Sequence, residues 1–335
     1  MPRILALAAL PLLAAASLTA AGSADADSFL RTEPYELIVG SGGDPWCEEG
    51  GAAGDLAAPA DLRGAHFSFS LDCLFSAPKV PADLAASIPA LEHVPPAQDG
   101  SEFLFVQLAL SSEYSPEHTT EPSLLASWIE VGEERISLAA APRSSDHYVV
   151  SAPRDARAVL WVSDADRAQG IDLRTGAQVE PVAAYYNGLA LRSYNLGGFE
   201  DDDPFRIVNE RRSGTATCST EYAEGTRALW LEDRGWAPEG TVFIEVRTRW
   251  CSRYNDITWE LDRERAFTID GEAPMSWTAT ERNAYWDDLV LVFTIPADVR
   301  EATIDFSPVG DIRFKETGEE LFTDDLPNFA WKLAF

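Results

Sequence analysis

Two sets of residues in predicted loops have the composition of a ligand site. Trp236 follows a glycine, and Trp286 is followed directly by Asp287 and Asp288. An aromatic face beside carboxylate acceptors is typical of a platform that binds a sugar or a peptide. Two carboxylates about 5–9 Å apart can also hydrolyse a glycosidic bond. We therefore expect ligand binding at Trp286, Asp287, Asp288 and Trp236. The alternative is that these tryptophans only anchor loops to the core.

A candidate metal site is the densest acidic run, residues 200–203, which Pro204 follows. Its residues Asp201, Asp202 and Asp203 supply the oxygen ligands that Ca²⁺ prefers, but the run lacks the ligand spacing and the glycine of an EF-hand loop. A solvated linker loop is the alternative interpretation. The sequence indicates no other metal or cofactor.

Motifs for phosphate binding or nucleophilic catalysis are absent from the sequence. Residues 40–43 (Gly-Ser-Gly-Gly) are not followed by Lys-Ser/Thr, so we interpret them as a turn. There is no Gly-x-Ser-x-Gly and no His-Glu-x-x-His. His66 and His147 fall in strand-like runs, where a packed or surface imidazole is the common outcome. We predict no catalytic residue, and the sequence favours a non-enzymatic protein.

The N-terminus predicts export. Arg3 precedes an apolar stretch over residues 4–18, and Ala24-Asp25-Ala26 fits a small-x-small cleavage site. The stretch is too short for a membrane span. We expect residues 1–26 to be a signal peptide, cleaved between positions 20 and 26. The mature chain would then be extracytoplasmic, either periplasmic or secreted, with no membrane span.

Export changes the interpretation of the four cysteines, which are Cys47, Cys73, Cys218 and Cys251. An even number in an oxidising compartment, with none in Cys-x-x-Cys spacing, favours disulfides. Three pairings are open, and the grouping along the chain favours Cys47–Cys73 and Cys218–Cys251. Alternation along the preceding strand places Cys73 on the apolar, inward face. Cys251 follows Trp250 and so falls on the polar face unless a bulge intervenes, which predicts that its disulfide is the easier to reduce.

Charge limits the partners. The chain carries 55 acidic against 26 basic residues, a formal net charge of −29. Binding to a phosphate backbone requires clustered Lys and Arg, so we expect no nucleic-acid partner. The same charge disfavours docking on an anionic membrane surface. A protein or a cell-envelope component remains as the partner.

The body of the chain predicts strands. Short runs of β-branched and aromatic residues recur between Gly, Pro, Asp and Asn. In residues 242–250, Val242, Ile244 and Val246 share one face, while Arg247 lies on the other, as in a strand with one buried face. Only residues 82–91 favour a short helix. The predicted class is all-β, with sandwich architecture.

The strand pattern contains an internal duplication. A strand beginning at Trp128 and a strand beginning at Trp259 each lead through a charged turn into a second strand, which predicts two hairpins. Farther along, Pro153 and Pro296 each begin a Pro-x-Asp motif after an apolar strand. We predict two tandem sandwiches, residues 27–188 and 189–335, called here the first half and the second half.

This order of elements resembles the telokin-like, immunoglobulin-like domains of bacterial exported proteins and lipoproteins. The matching stretches are residues 103–110, 149–162, 242–246 and 290–306, which include the apolar strands that run into Pro-x-Asp. Thr-Gly turns follow later, at residues 175–176 and 317–318. The resemblance implies an extracytoplasmic interaction or stability module without catalytic machinery. The chain departs from this family because it lacks a lipid-attachment cysteine and has a longer first copy.

Our leading hypothesis is an exported, non-enzymatic protein of two immunoglobulin-like sandwiches that engages a protein or envelope partner. The first alternative is a carbohydrate-binding or glycan-hydrolysing protein that uses the loop tryptophans and acidic residues. The second is an outer-membrane β-barrel, because Phe329, Trp331, Leu333 and Phe335 alternate at the C-terminus. The 21 prolines and four cysteines argue against this second alternative.

Overall fold

The structure is a computed structural model that describes residues 30–42, 60–111, 114–118, 121–197, 205–208, 213–216, 222–254, 256–323, 326 and 328–335. The predicted signal peptide, the acidic run containing Asp201, Asp202 and Asp203, and two cysteines, Cys47 and Cys218, lie outside the described residues. Within the described ranges, none of the helices is long and apolar enough to cross a membrane.

The described chain is all-β, as predicted, with only short helical segments. The strands of the first half are β1 (Leu37–Ser41), β2 (Asp61–Arg63), β3 (Ser68–Ala77), β4 (Ser101–Ala109), β5 (Leu125–Val131), β6 (Glu134–Ser137), β7 (Asp146–Pro153), β8 (Ala158–Asp164), β9 (Arg167–Asp172) and β10 (Gln178–Val179). Those of the second half are β11 (Ser193–Asn195), β12 (Phe205–Val208), β13 (Ser213–Ala216), β14 (Ala223–Ala228), β15 (Trp230–Leu231), β16 (Gly235–Trp236), β17 (Thr241–Trp250), β18 (Arg253–Tyr254), β19 (Ile257–Leu261), β20 (Phe267–Ile269), β21 (Ser276–Glu281), β22 (Asp287–Pro296), β23 (Glu301–Phe306), β24 (Gly310–Phe314), β25 (Glu320–Thr323) and β26 (Phe329–Ala334). The helical segments are α1 (Ala82–Ser87) and 3₁₀ turns at Pro89–Leu91, Pro122–Leu124 and Ala183–Tyr185.

The first half consists of two five-stranded antiparallel sheets, β1-β7-β4-β3-β2 and β10-β9-β8-β5-β6. Their facing sides share one hydrophobic core, which includes Phe69, Val106 and Leu160. A second cluster, with Leu84 and Phe105, lies where α1 covers the other side of the first sheet. The short helix predicted over residues 82–91 is therefore present, and Pro89 divides it into α1 and a 3₁₀ turn.

The second half is built around the sheet β11-β14-β17-β22-β21. Two other sheets, β13-β12-β25-β24-β19-β18 and β20-β23-β26, and the small β15–β16 hairpin complete it. The alternation predicted for β17 is confirmed, since Val242, Ile244 and Val246 are fully buried while Arg247 is exposed. Phe243 is also buried, because the β15–β16 hairpin covers this part of the outer face and brings Leu231 against it.

The second predicted hairpin is wrong. β19, which begins near Trp259, pairs with β18 and β24, whereas β20 pairs with β23 in another sheet. The turns explain the difference. Gly132 has a φ of 61°, as a two-residue hairpin turn requires, so β5 and β6 pair directly. In the second half the Arg265 and Ala266 N–H groups both donate to the Asp262 carbonyl, and this helical turn carries the chain to a different sheet.

The two Pro-x-Asp motifs of the predicted repeat occupy matching positions in one sheet of each half, and the duplication itself remains a prediction. Pro153 ends β7 opposite Ser101, the first residue of β4, and Pro296 ends β22 opposite Thr241, the first residue of β17. Trp128 and Trp259, in contrast, do not occupy matching positions. The cross-strand partner of Trp128 in β8 is Trp161, whereas the partner of Trp259 in β24 is Ile312.

The cysteine environments differ from the predicted registers. Cys73 is buried, but a register shift between Leu71 and Cys73 turns it away from the core between the sheets and towards α1. The expectation that Cys251 lies on a polar face is wrong. β17 ends at Trp250, and the chain then turns so that Cys251 is only 6% exposed. Cys73 and Cys251 are each disulfide-bonded, and the pairing remains a prediction.

Candidate functional site

A buried histidine–aspartate pair lies where the two halves meet. His66 lies two residues before the start of β3, and Asp164 is the last residue of β8. The Asp164 Oδ1 atom is 2.7 Å from His66 Nδ1, and its Oδ2 accepts the His66 backbone N–H at 3.0 Å. The side chains are only 2% and 0% exposed. A Cβ atom at Gly64 would lie 2.8 Å from Asp164 Oδ2, so this position requires glycine.

Aromatic contacts join this pair to the second half. The Trp230 ring of β15 makes edge contacts with the rings of His66 and His118, at centroid distances of 4.5 and 4.8 Å. The Trp236 indole N–H donates to the backbone carbonyls of Asp164 and Ala165 at 2.9 and 3.2 Å. The β15–β16 hairpin is thereby attached to the end of β8 in the first half.

A buried carboxyl group lies beside these contacts. Glu117 Oε2 accepts the Leu229 backbone N–H at 3.3 Å, and Oε1 is inaccessible to solvent and has no hydrogen-bond partner among the described residues. Burial raises the pKa of Glu117 to about 7, although the Leu229 N–H, the Tyr185 hydroxyl and Arg227 all act to lower it. The Tyr185 hydroxyl is near enough to affect the carboxyl, but no hydrogen bond between them has favourable geometry. Burial also raises the pKa values of Tyr114 and Tyr185.

Glu117 and His118 form one side of a groove of about 980 Å³, called here the junction groove. Its floor is the outer face of the main sheet of the second half, and the turn of the β15–β16 hairpin contributes Glu232 and Asp233. Strand register explains the composition of the floor. One row of cross-strand neighbours on this face runs over β14, β17, β22 and β21 and consists of Glu224, Arg247, Val290 and Thr278. The neighbouring row runs over β11, β14 and β17 and consists of Ser193, Thr226 and Glu245.

Two of the three arginines of the groove are engaged by polar groups of the chain, and the third, Arg192, is exposed with its guanidinium over the Tyr194 ring. Arg247 forms an ion pair with Glu245 at 2.6 Å. Arg227 is 1% exposed and donates to the backbone carbonyls of Ala297 and Ala190 at 2.7 and 3.3 Å. Five acidic side chains line the groove against three arginines, and Glu232 and Asp233 are exposed at its edge. The net character of the groove is therefore acidic.

The residues predicted to bind a ligand do not form one site. Trp236 lies at the junction of the halves and uses its indole N–H to hold the β8–β9 turn. Asp287 pairs with Arg253 at 2.5 Å, and Asp288 pairs with Arg249 at 3.4 Å. Trp286 is partly buried against the core of the second half. Both tryptophans thus contact neighbouring structure, as the alternative interpretation expects, and ligand binding by this set remains a prediction.

The neighbours of the His66–Asp164 pair determine what chemistry it could support. Within the described residues, no hydroxyl or thiol is hydrogen-bonded to the His66 ring, so the pair lacks the nucleophile that it would activate. The same part of the chain contains no group of three or more His, Cys, Asp or Glu residues arranged to hold a metal ion. The histidine–aspartate pair instead orients the loop that carries Phe67 and Gly64.

The sequence left open whether His66 is a packed or a surface imidazole, and it indicated neither the Asp164 partner nor Glu117; the structure shows that His66 is packed. His66 and Asp164 are 98 positions apart, and Glu117 is 112 positions from Leu229. No local spacing signals such contacts, which depend on how the sheets are connected. Comparison with protein-family models and with curated proteins gave no match for this chain.

Proposed function

We propose that the protein is an extracytoplasmic, non-enzymatic binding protein whose junction groove binds a positively charged segment of a partner polypeptide. The observation that carries the proposal is the groove itself, to which both halves contribute side chains. Its volume of about 980 Å³ lies at the upper end of the usual range for ligand pockets, about 300–1,000 Å³. An extended peptide segment suits a groove that crosses several strands.

Charge selects the kind of partner. The exposed carboxylates of Glu232 and Asp233 stand at the edge, while Arg247 is neutralised by Glu245 and Arg227 is bound to carbonyl oxygens. A Lys or Arg side chain of the partner would find acceptors there, and at Asp233 it would compete only with the exposed ion pair that Arg234 forms at 3.6 Å. The formal charge of −29 also attracts cationic partners from a distance and speeds their encounter.

The groove is held in shape before any ligand binds. The Trp236 indole N–H, the His66–Asp164 pair and the Trp230 ring fix the β15–β16 hairpin against the first half. Preorganisation of this kind reduces the entropy cost of binding. It also accounts for a buried polar junction in a protein to which we assign no catalytic step.

The compartment and the finer architecture belong to the same proposal. The predicted signal peptide would export the chain, and the disulfides of Cys73 and Cys251 are stable in an oxidising compartment. The equivalent placement of Pro153 and Pro296 supports two tandem immunoglobulin-like sandwiches, whose second sheets have diverged.

Selection from a random peptide display library tests the proposal. The mature chain should enrich peptides that contain Lys and Arg. The Glu232→Gln/Asp233→Asn variant should lose this enrichment. A matched control, Glu133→Gln/Glu134→Gln, removes two exposed carboxylates from the β5–β6 turn of the first half and should retain it. Enrichment without a basic bias, or an identical enrichment by the groove variant, would contradict the proposal.

A further inference from the structure

A second, smaller pocket lies in the second half and shares no lining residue with the junction groove. Its volume is about 250 Å³, and it opens between the β18–β19 strands and the β21–β22 strands. This is below the range of about 300–1,000 Å³ that holds drug-sized ligands. The pocket therefore suits a ligand of about the size of one sugar ring.

Three tryptophans supply the walls of this pocket. Trp250 and Trp259 are 2% and 4% exposed and contact each other at a centroid distance of 5.2 Å. Their indole N–H groups already donate, to the carbonyls of Trp259 and Pro308, so the small part of these two side chains that reaches the pocket is apolar ring surface. Trp277 of β21 is half-buried and forms a third wall. Apolar walls of this kind suit the C–H face of a sugar ring.

Two polar atoms at the pocket lack partners. The Ser252 Oγ and Arg253 Nε atoms are inaccessible to solvent, and neither has a hydrogen-bond partner among the described residues. The rest of the Arg253 guanidinium is fixed, because it pairs with Asp287 at 2.5 Å and with Glu281 at 3.6 Å. Buried polar groups are almost always paired, and rotation of the Ser252 side chain would bring its hydroxyl to a bound ligand, whereas the Nε atom of the fixed Arg253 stays inaccessible.

The balance of charges around the pocket limits the class of ligand that it can attract. The charged residues that line the pocket are two of each sign, namely Arg253, Arg263, Glu260 and Asp287. A balanced lining gives no net attraction to an anion or a cation. Aromatic walls, hydroxyl and guanidinium donors, and carboxylate acceptors together match a ligand with an apolar ring face and a rim of hydroxyl groups.

We propose that this pocket binds the ring of a neutral saccharide, either free or as the terminal residue of a glycan. The site is independent of the junction groove. It also differs from the platform expected at Trp286, Asp288 and Trp236, because only Asp287 of that predicted set lines it.

Saturation-transfer NMR with a panel of neutral hexoses and N-acetylhexosamines tests the site, together with binding to immobilised neutral polysaccharides. We expect saturable binding. Trp277→Ala should raise Kd about tenfold, whereas Trp128→Ala, which removes a half-buried tryptophan from the first half, should leave Kd unchanged. Ser252→Ala should weaken binding without lowering the unfolding temperature, because its hydroxyl makes no hydrogen bond in the free protein.

Each outcome decides the question. Binding of free sugars that depends on Trp277 supports the site. Binding of polysaccharide alone, with the same dependence, supports it and identifies a terminal glycan residue as the ligand. Absence of binding to both, or binding that Trp277→Ala and Ser252→Ala leave unchanged, overturns it. The Glu232→Gln/Asp233→Asn variant should bind sugar normally, so the failure of one proposal is distinguishable from the failure of the other.

Discussion

His66 Nδ1 lies 2.7 Å from Asp164 Oδ1 in a fully buried contact between residues 98 positions apart. Asp164 also provides the backbone carbonyl to which the Trp236 indole N–H donates. One residue of the first half therefore organises its own loop through its side chain and holds the second half through its main chain. The junction groove depends on this arrangement.

Removal of the carboxylate at this position should destabilise the protein. Asp164→Asn keeps one oxygen acceptor but turns an amide N–H₂ towards a buried donor. We expect the free energy of unfolding to fall by about 1–3 kcal/mol, the usual cost of an unsatisfied buried polar group. Urea unfolding, followed by tryptophan fluorescence, measures the change.

The matched control is Asp166→Asn in the turn that follows β8. Asp166 is exposed and has a φ of 67°, a conformation that asparagine adopts readily. Its substitution should leave stability nearly unchanged. Equal effects of the two substitutions would show that the His66–Asp164 contact has no special role.

Glu117 should make stability depend on pH. Its pKa in the folded chain is about 7, above the ordinary value of 4.5, so the folded state retains a proton that the unfolded chain releases. The stabilisation is complete below pH 4.5 and is lost as the pH rises through 7. The charged and titratable neighbours that act on this carboxyl are Arg227, Asp164 and Tyr185.

The measurement is the difference in unfolding free energy between wild type and Glu117→Gln at several pH values. As the pH rises from 4.5 through 7, the wild type should lose stability relative to Glu117→Gln, because glutamine does not titrate. Glu121→Gln, at an exposed position nearby in the chain, should follow the wild-type curve. Parallel curves for wild type and Glu117→Gln would refute the assignment.

Gly310 should tolerate no side chain. A Cβ atom there would lie 2.0 Å from the Glu260 carbonyl oxygen, a backbone atom that cannot move without disrupting the β19–β24 pairing. We expect Gly310→Ala to cost at least about 2 kcal/mol. At Gly225 the atom nearest to an added Cβ belongs to the flexible Leu196 side chain, at 3.3 Å, so Gly225→Ala should lower the free energy of unfolding clearly less than Gly310→Ala. Thermal unfolding of the two variants measures the difference.

Disulfide connectivity is open to direct determination. Peptide mapping without reduction should yield Cys47–Cys73 and Cys218–Cys251, one bond within each half. Because Cys73 and Cys251 are 1% and 6% exposed, the structure no longer supports the expectation that one bond is much easier to reduce. A peptide that joins Cys73 to a cysteine of the second half would show that the halves do not fold as separate covalent units.

The fold class was predictable because it depends on local patterns. Alternation of Val242, Ile244 and Val246 with polar residues predicts β17 correctly, since neighbouring positions on a strand face opposite sides. The hairpin after Trp128 was predictable because Gly132 occupies its turn. The turn at Asp262 has similar charge but no glycine, and treating it as a hairpin failed for that reason.

The candidate site was not predictable because its members come from separate elements. Glu117, Asp164 and Trp230 are polar or aromatic residues in ordinary local contexts, and only the packing of the two halves brings them together. Trp236 did stand out as a loop tryptophan. The structure assigns it a place between the halves, which loop composition alone does not indicate.

The most direct test of the account is the Kd of one selected basic peptide, measured by titration calorimetry at low and at high salt. The wild type and the Glu133→Gln/Glu134→Gln control should bind equally, and salt should weaken both because the attraction is electrostatic. The Glu232→Gln/Asp233→Asn variant should bind about tenfold more weakly at low salt, with a smaller dependence on salt. Equal Kd values for all three proteins, with no effect of salt, would show that the junction groove is not the binding site.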